Sequence, residues 1–290
     1  MKRYQSAFLI LLILLLIFPS IAYPGERVRT GILGAMDAEI QLLQDQLAYR
    51  EELRIEGLRF MTGQINGRTV VIAQTGIGKV NAAMTAILLI EHFKPKEVIF
   101  TGIADGLNPE LMPGDIVLGE KTAQHDFGSI TQEGFESWGV RNPITNERNP
   151  VFFPGDSMLI ALAQLSATTI QFDQLETSKG NRIPRVIQGT IVTGDVFISS
   201  SAKKAQLRQR FEADAVEMEG AVVAQICWQC GIPCLIIRSL SDSADENADQ
   251  DFRRFYEIAA RNSARLVIEL IGQLRTVKAF QRESKASRRF

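Results

Sequence analysis

Cysteine and histidine are nearly missing from this chain, and so is any surplus of charge. The three cysteines, Cys227, Cys230 and Cys234, fall in one short stretch, which excludes a disulfide framework spread over the fold. Cys227 and Cys230 form a CxxC inside an apolar helical pattern rather than at a helix N-terminus, where thiols become acidic, so they read as small core residues. The two histidines, His92 and His125, lie far apart, without cysteine or carboxylate spacing that suits a zinc site. Neither a metal nor another cofactor is implied. A formal net charge of -1 with 22% charged residues leaves no electrostatic footprint for nucleic acid. Internal repeats and a dividing linker are also lacking, so the body of the 290 residues reads as a single domain.

The N-terminus is different in kind. Lys2 and Arg3 precede an unbroken apolar run from Ala7 to Phe18, followed by Pro19 and Ser20-Ile21-Ala22. This is the layout of a secretory signal peptide, and the run is shorter than the roughly 20 residues that span a bilayer. The expected organisation is a signal peptide over 1–22 cleaved after Ala22, a domain over 23–277 and a solvated basic tail over 278–290. That organisation implies a periplasmic or secreted protein with no membrane partner once the leader is removed. An uncleaved anchor is the alternative reading of the same residues.

Strand and helix patterns then alternate. Residues 27–33 read as a strand and 37–47 as a helix with Met36, Ile40, Leu43 and Leu47 on one face. Residues 57–65 and 69–74 flank Asn66-Gly67, a hairpin signal. The glycines of 75–79 resemble a phosphate loop only superficially. Ala73 stands where the first Walker glycine belongs and Val80 replaces the magnesium-binding hydroxyl, which excludes triphosphate binding. Residues 97–100 read as a buried strand entering a glycine-rich loop, 101–106, and 115–119 as another strand. Periodicity lapses over 127–154. Further on come a helix (156–165), a strand (185–193) and a helix capped within 199–201. A strand ending at Val216, a helix (221–230), a strand (234–240) and an amphipathic helix (252–274) complete the chain. This alternation predicts α/β layers around a central mixed sheet.

Carboxylates fall where strands meet helices: Glu39, the pair Glu217 and Glu219 around Met218, and Asp242. Acids in a first helical turn also complement the helix dipole, so each has a plain structural reading. Ligands in open α/β sheets bind at the carboxyl ends of strands, which is where these acids stand.

Several separate motifs carry a resemblance in the same order. They are Gly31-Ile32-Leu33-Gly34-Ala35-Met36 with Glu39, residues 75–80, Gly114-Asp115-Ile116-Val117, Gly194-Asp195 with Phe197, residues 216–219, and Arg238 with Ser241-Asp242. Together they resemble the 5'-methylthioadenosine/S-adenosylhomocysteine nucleosidases of the purine nucleoside phosphorylase superfamily, from about Gly31 to Leu274. The resemblance implies a single-domain three-layer α/β/α fold with a central mixed β-sheet. It implies a homodimer and an N-glycosyl hydrolase releasing adenine and a ribose derivative from a purine nucleoside.

That chemistry needs a proton for the leaving purine, a base for the water and a negative charge near the ribose cation. By resemblance Asp242 protonates the purine near N7, Glu39 takes the water's proton and Glu219 accepts from the ribose hydroxyls. Met218 packs on the sugar, Phe197 stacks on adenine and the backbone of Ile198 reads its edge. Met36 and Phe252 contact the 5' group, Arg238 helps position the water, and Ser241 accompanies Asp242. The loop 34–39 holds two acids and no arginine, which favours water over phosphate as nucleophile. Ile103 and Asp105 depart from the family's hydroxyl-Ala-Gly-Gly pattern. They keep open a nucleoside-binding protein without turnover; a phosphorylase is the third reading.

Overall fold

Two turns with both central residues at positive φ start the architecture. Glu56-Gly57 (φ 48 and 81) and Asn66-Gly67 (φ 49 and 70) fit the mirror-image turns whose twist suits hairpins. They fold β2 (Ala48–Ile55), β3 (Leu58–Ile65) and β4 (Arg68–Gln74) into an antiparallel meander. The structure, a computed structural model, describes residues 30–177, 180–242 and 248–287, with backbone alone at 176–177, 180, 248–253 and 277–287. The expected leader, 1–22, lies outside the described residues.

Around the meander run β1 (Thr30–Gly34), α1 (Asp37–Asp45), α2 (Lys79–Phe93), β5 (Glu97–Gly106) and β6 (Ile116–Gln124). Next come the hairpin β7 (Gly128–Thr131) and β8 (Gly134–Ser137), β9 (Phe152–Pro154) and α3 (Ser157–Ala167), then the short pair β10 (Leu175–Thr177) and β11 (Gly180–Arg182). β12 (Val186–Thr193), α4 (Ser201–Phe211), β13 (Ala215–Glu217), α5 (Gly220–Cys230), β14 (Cys234–Asp242) and α6 (Ala248–Ser287) complete the described chain.

The main sheet runs β13-β12-β6-β14-β5-β1-β4-β3-β2 and is mixed: β4, β1, β5 and β14 are parallel neighbours, whereas β6 is antiparallel to β14. β13 also pairs with β5, so β5, β14, β6, β12 and β13 close into a ring. Successive residues on the central strands go to opposite cores, as a sheet covered on both faces demands. Leu33, Val71, Phe100 and Ile236 pack in one core, which also takes in Leu89 of α2 and Val223 of α5. Their neighbours Ile32, Ile72, Ile99 and Ile237 pack in the other, with Leu43 of α1, Leu159 of α3 and Leu270 of α6. This is the expected three-layer α/β/α arrangement.

Two expectations change, and two further features were not foreseen. Residues 101–106 form no glycine loop: β5 continues to Gly106 with all ten residues buried, because β14 on one side and β13 on the other supply backbone partners. The aperiodic stretch 127–154 carries β7, β8 and β9, held by turns and short pairings. The strand β2 went unforeseen, since mostly exposed residues give no apolar alternation to read. The basic tail expected from 278 continues the backbone of α6 as far as Ser287.

Candidate active site

A pocket of about 300 Å³ opens among the strand ends. Its walls come from the turn after β1 (Ala35, Met36), from Glu39 of α1, and from Ile77 before α2. Ile103, Ala104 and Asp105 of β5, Val196 and Phe197 after β12, and residues 216–219 across β13 and the start of α5 supply the rest.

Glu39 is buried and accepts three backbone hydrogen bonds. Oε2 receives the N–H of Ala35 at 2.6 Å and of Met36 at 2.8 Å, and Oε1 receives that of Ile103 at 2.9 Å. Burial raises its pKa above the ordinary carboxylate value, against the lowering pull of Arg238 and these N–H groups. Gly102 makes room for it: a Cβ there would lie 2.5 Å from Glu39 Oε1. A glycine inside an otherwise apolar strand is the sequence signal for such a close approach, and its meaning emerges only with Glu39 in place.

Glu219 is the N-cap residue of α5 and accepts the N–H of Gly78 at 2.8 Å. Gly76 and Gly78 have φ of 76 and 96, so the glycine turn that mimics a phosphate loop serves to aim a backbone donor at this carboxylate. Burial first, then the charge of Glu217, pushes the Glu219 pKa up to about 8, against Arg238 and the Gly78 N–H.

Glu217 and Glu219 were indistinguishable by position, but their partners separate them. Glu217 receives Arg238 Nη2 at 2.7 Å, the N–H groups of Glu219 and Gly220 and the Thr193 hydroxyl. Arg238 is 1% exposed, donates to the carbonyl of Phe100 at 3.1 Å and lies 4.2 Å over its ring. It is therefore not among the pocket-lining residues. It sits behind the wall, where its charge acts on Glu217, Glu39 and Glu219.

Met36, Phe197 and Met218 line the pocket as expected, Phe197 at 45% exposure at its mouth. The side chain of Ile198 is buried with Leu207 and Phe211 of α4, while the role expected of Ile198 belongs to its backbone. Ser241 is also behind the wall, its hydroxyl donating to Asp242 Oδ2 at 2.8 Å. Asp242, 1% exposed at the end of β14, is not itself among the lining residues but stands level with one of them, Asp105. The side chain of Phe252 lies outside the described residues. Ile103 supplies a backbone N–H to Glu39 and packs its side chain against Ala259 and Ala260 of α6, so its lack of a hydroxyl leaves the anchoring of Glu39 intact. Ile77 and Val196 were missed; both are partly exposed apolar residues in turns, with no periodicity to mark them.

Comparison with known proteins matches a family model described as the phosphorylase superfamily to residues 29–272. The 5'-methylthioadenosine/S-adenosylhomocysteine nucleosidase of Psychromonas ingrahamii is 39% identical over 248 residues, covering 85% of this chain and 100% of its own. Among solved structures, the Neisseria meningitidis nucleosidase in complex with methylthio-immucillin-A has a TM-score of 0.73 and 38% identity, over 85% of this chain and 99% of that one. The futalosine hydrolase of Helicobacter pylori is also similar, with a TM-score of 0.71 and 31% identity over 85% and 98% of the two chains.

Proposed function

This chain belongs to the phosphorylase superfamily and, within it, to the 5'-methylthioadenosine/S-adenosylhomocysteine nucleosidases, and from that premise we propose how its residues divide the work. It is an N-glycosyl hydrolase that breaks the bond between the purine and the ribose of a nucleoside, releasing adenine. Glu39 takes a proton from the attacking water. Its burial raises its basicity while three N–H groups fix its direction. Glu219 accepts hydrogen bonds from the ribose hydroxyls, which favour its ionised form and so draw down a pKa of about 8 as substrate binds. The negative charge then supports the cationic sugar of the transition state. Asp242 gives a proton to the leaving purine, Phe197 stacks on it, and Met36 and Met218 flank the apolar 5' group and the sugar.

The observation that carries this reading is that Glu39 and Glu219 line one pocket, each held by backbone donors. The test is adenine release from 5'-methylthioadenosine and S-adenosylhomocysteine, with and without inorganic phosphate. Release independent of phosphate is expected. Strict phosphate dependence overturns hydrolysis in favour of phosphorolysis, and binding without release favours a carrier.

Two further features belong to the same proposal. On α2, Val80, Met84 and Ile87 are exposed at helical spacing and continue into Ile77, which is 53% exposed and lines the pocket. A second copy of the chain covers this stripe and finishes the 5' end of the site; sedimentation giving a monomer at micromolar concentration would sink that dimer. The basic and apolar pattern of 2–22 directs the protein out of the cytoplasm, and intact-mass measurement of the mature protein expects loss of residues 1–22.

A further inference from the structure

Asp105 lines the pocket, yet none of the roles above uses it. It stands near the end of β5, where the parallel pairing with β14 matches Ala104 to Leu240 and then Asp105 to Asp242. Regular pairing would match Asp105 to Ser241. The slip of one residue at Leu240/Asp242 sets the two aspartates side by side, as bulges next to active sites re-aim side chains. On the other edge β13 pairs Val216 with Asp105, so its backbone is held from both sides. Asp105 is 8% exposed and Asp242 1%, so the two carboxyls are buried side by side on neighbouring strands. Two buried neighbours of this kind favour holding one proton between them, since adjacent carboxylates in a buried site do not both ionise readily.

The surrounding charges do not relieve the pair. Glu217 of β13 adds a negative charge, and Arg238 of β14 is taken up by Glu217. Glu219 at the start of α5 and Glu39 of α1 are further acids at the pocket, with Tyr256 of α6 beside Glu39. Burial first, then Asp242, holds the Asp105 carboxyl well above its usual range.

We propose that Asp105 and Asp242 form a proton-sharing carboxyl pair, in which Asp105 is a positioning residue that keeps the Asp242 acid protonated toward higher pH. The inference rests on Asp242 being the proton donor of the proposed function. As the C–N bond breaks, its electron pair passes to the purine and N7 takes the proton from Asp242, so adenine leaves neutral. The pair is then left with both carboxyls ionised. It recovers a proton through solvent, matching the one that the attacking water gave to Glu39. Repulsion within the ionised pair favours this recovery and titrates the two carboxyls as one unit.

The test is the pH dependence of kcat with 5'-methylthioadenosine for the unsubstituted enzyme, Asp105→Asn and Asp242→Asn. The amide introduced by Asp105→Asn keeps the shape and a hydrogen bond but removes the like charge, so the alkaline limb is expected to fall by about one pH unit or more. Activity surviving in Asp242→Asn overturns the donor assignment and the pair with it. Inactive Asp242→Asn with an unmoved or raised limb in Asp105→Asn overturns the pair alone. Infrared spectroscopy of the unsubstituted protein is expected to show, besides the Glu219 carboxyl that titrates near 8, a further buried protonated carboxyl that titrates in the alkaline range. Its absence overturns the pair whether or not the variants fold.

Discussion

Two buried arginine–glutamate pairs stand toward opposite ends of this sheet, and what surrounds each differs. At the amino ends of the parallel strands, Arg68 pairs with Glu97, and the Thr30 hydroxyl accepts from Arg68 at 2.7 Å and donates to Glu97 at 2.6 Å. Among the described residues one cation meets one anion there. Toward the carboxyl ends, Arg238 pairs with Glu217 but is shared electrostatically with Glu39 and Glu219 as well. One cation cannot neutralise three acids, so burial, opposed only in part by Arg238, leaves Glu39 and Glu219 with raised pKa values. The same residue types make a structural lock where charges balance and a reactive site where they do not.

The sharpest way to break this comparison is at the unbalanced end. Glu39→Gln is expected to lower kcat by roughly two to four orders of magnitude, as removal of a general base does, with little change in melting temperature. Steady-state adenine release alongside a thermal melt checks it; an unchanged rate removes Glu39 from the mechanism.

Next in size is a matched pair of substitutions. Glu97→Gln and Glu217→Gln each leave a buried guanidinium without its partner, which costs about 3 to 5 kcal/mol in stability. They should part company in activity. Glu97→Gln is expected to keep the turnover of its folded fraction, while Glu217→Gln loses turnover because Arg238 is released toward Glu39 and Glu219. Denaturant titration with kinetics on the folded fraction decides it, and equal loss of turnover in both would erase the distinction between the two ends.

Glycines give a finer contrast. A Cβ at Gly31 meets Leu89 Cδ2 at 2.6 Å, and one at Gly102 meets Glu39 Oε1 at 2.5 Å. Both alanine variants overpack, at about 1 to 3 kcal/mol. Only Gly102→Ala displaces the proposed base, so it should lower kcat by roughly tenfold or more while Gly31→Ala changes stability alone, read from the same two assays.

The most gradual effect is on stability against pH. The Glu219 pKa lies at about 8 in the folded protein, against an ordinary value of 4.5. The folded state thus holds a proton that the unfolded chain loses. Its contribution is full below pH 4.5 and disappears as pH rises through 8, at up to about 1.4 kcal/mol per pH unit. Melting temperatures of the substrate-free protein are expected to decline over that window, and Glu219→Gln to flatten part of the decline.

Much of this architecture was legible before any coordinates. Asn66-Gly67 marked its hairpin because few residues tolerate positive φ there, and Glu39 and Glu219 drew notice because they interrupt apolar runs at strand–helix junctions. Arg238 gave no sign of its burial, for the opposite reason. A strand buried on both faces shows no alternation, so nothing in 234–242 says which way a side chain points. The glycines of 101–106 looked like a loop because the strands that pair with them come from more than a hundred residues further along.

The order of strands and helices, the acids at their junctions and the family they announce are written in the sequence, because periodicity, turn chemistry and residue type are local properties. Which acid is neutralised, which is held ready and which shares a proton was decided only by the fold. Burial and Coulomb forces act through space: Glu39 meets its Ile103 donor across 64 positions of chain and Glu219 meets Gly78 across 141. A one-residue slip between β5 and β14 is what sets Asp105 level with Asp242.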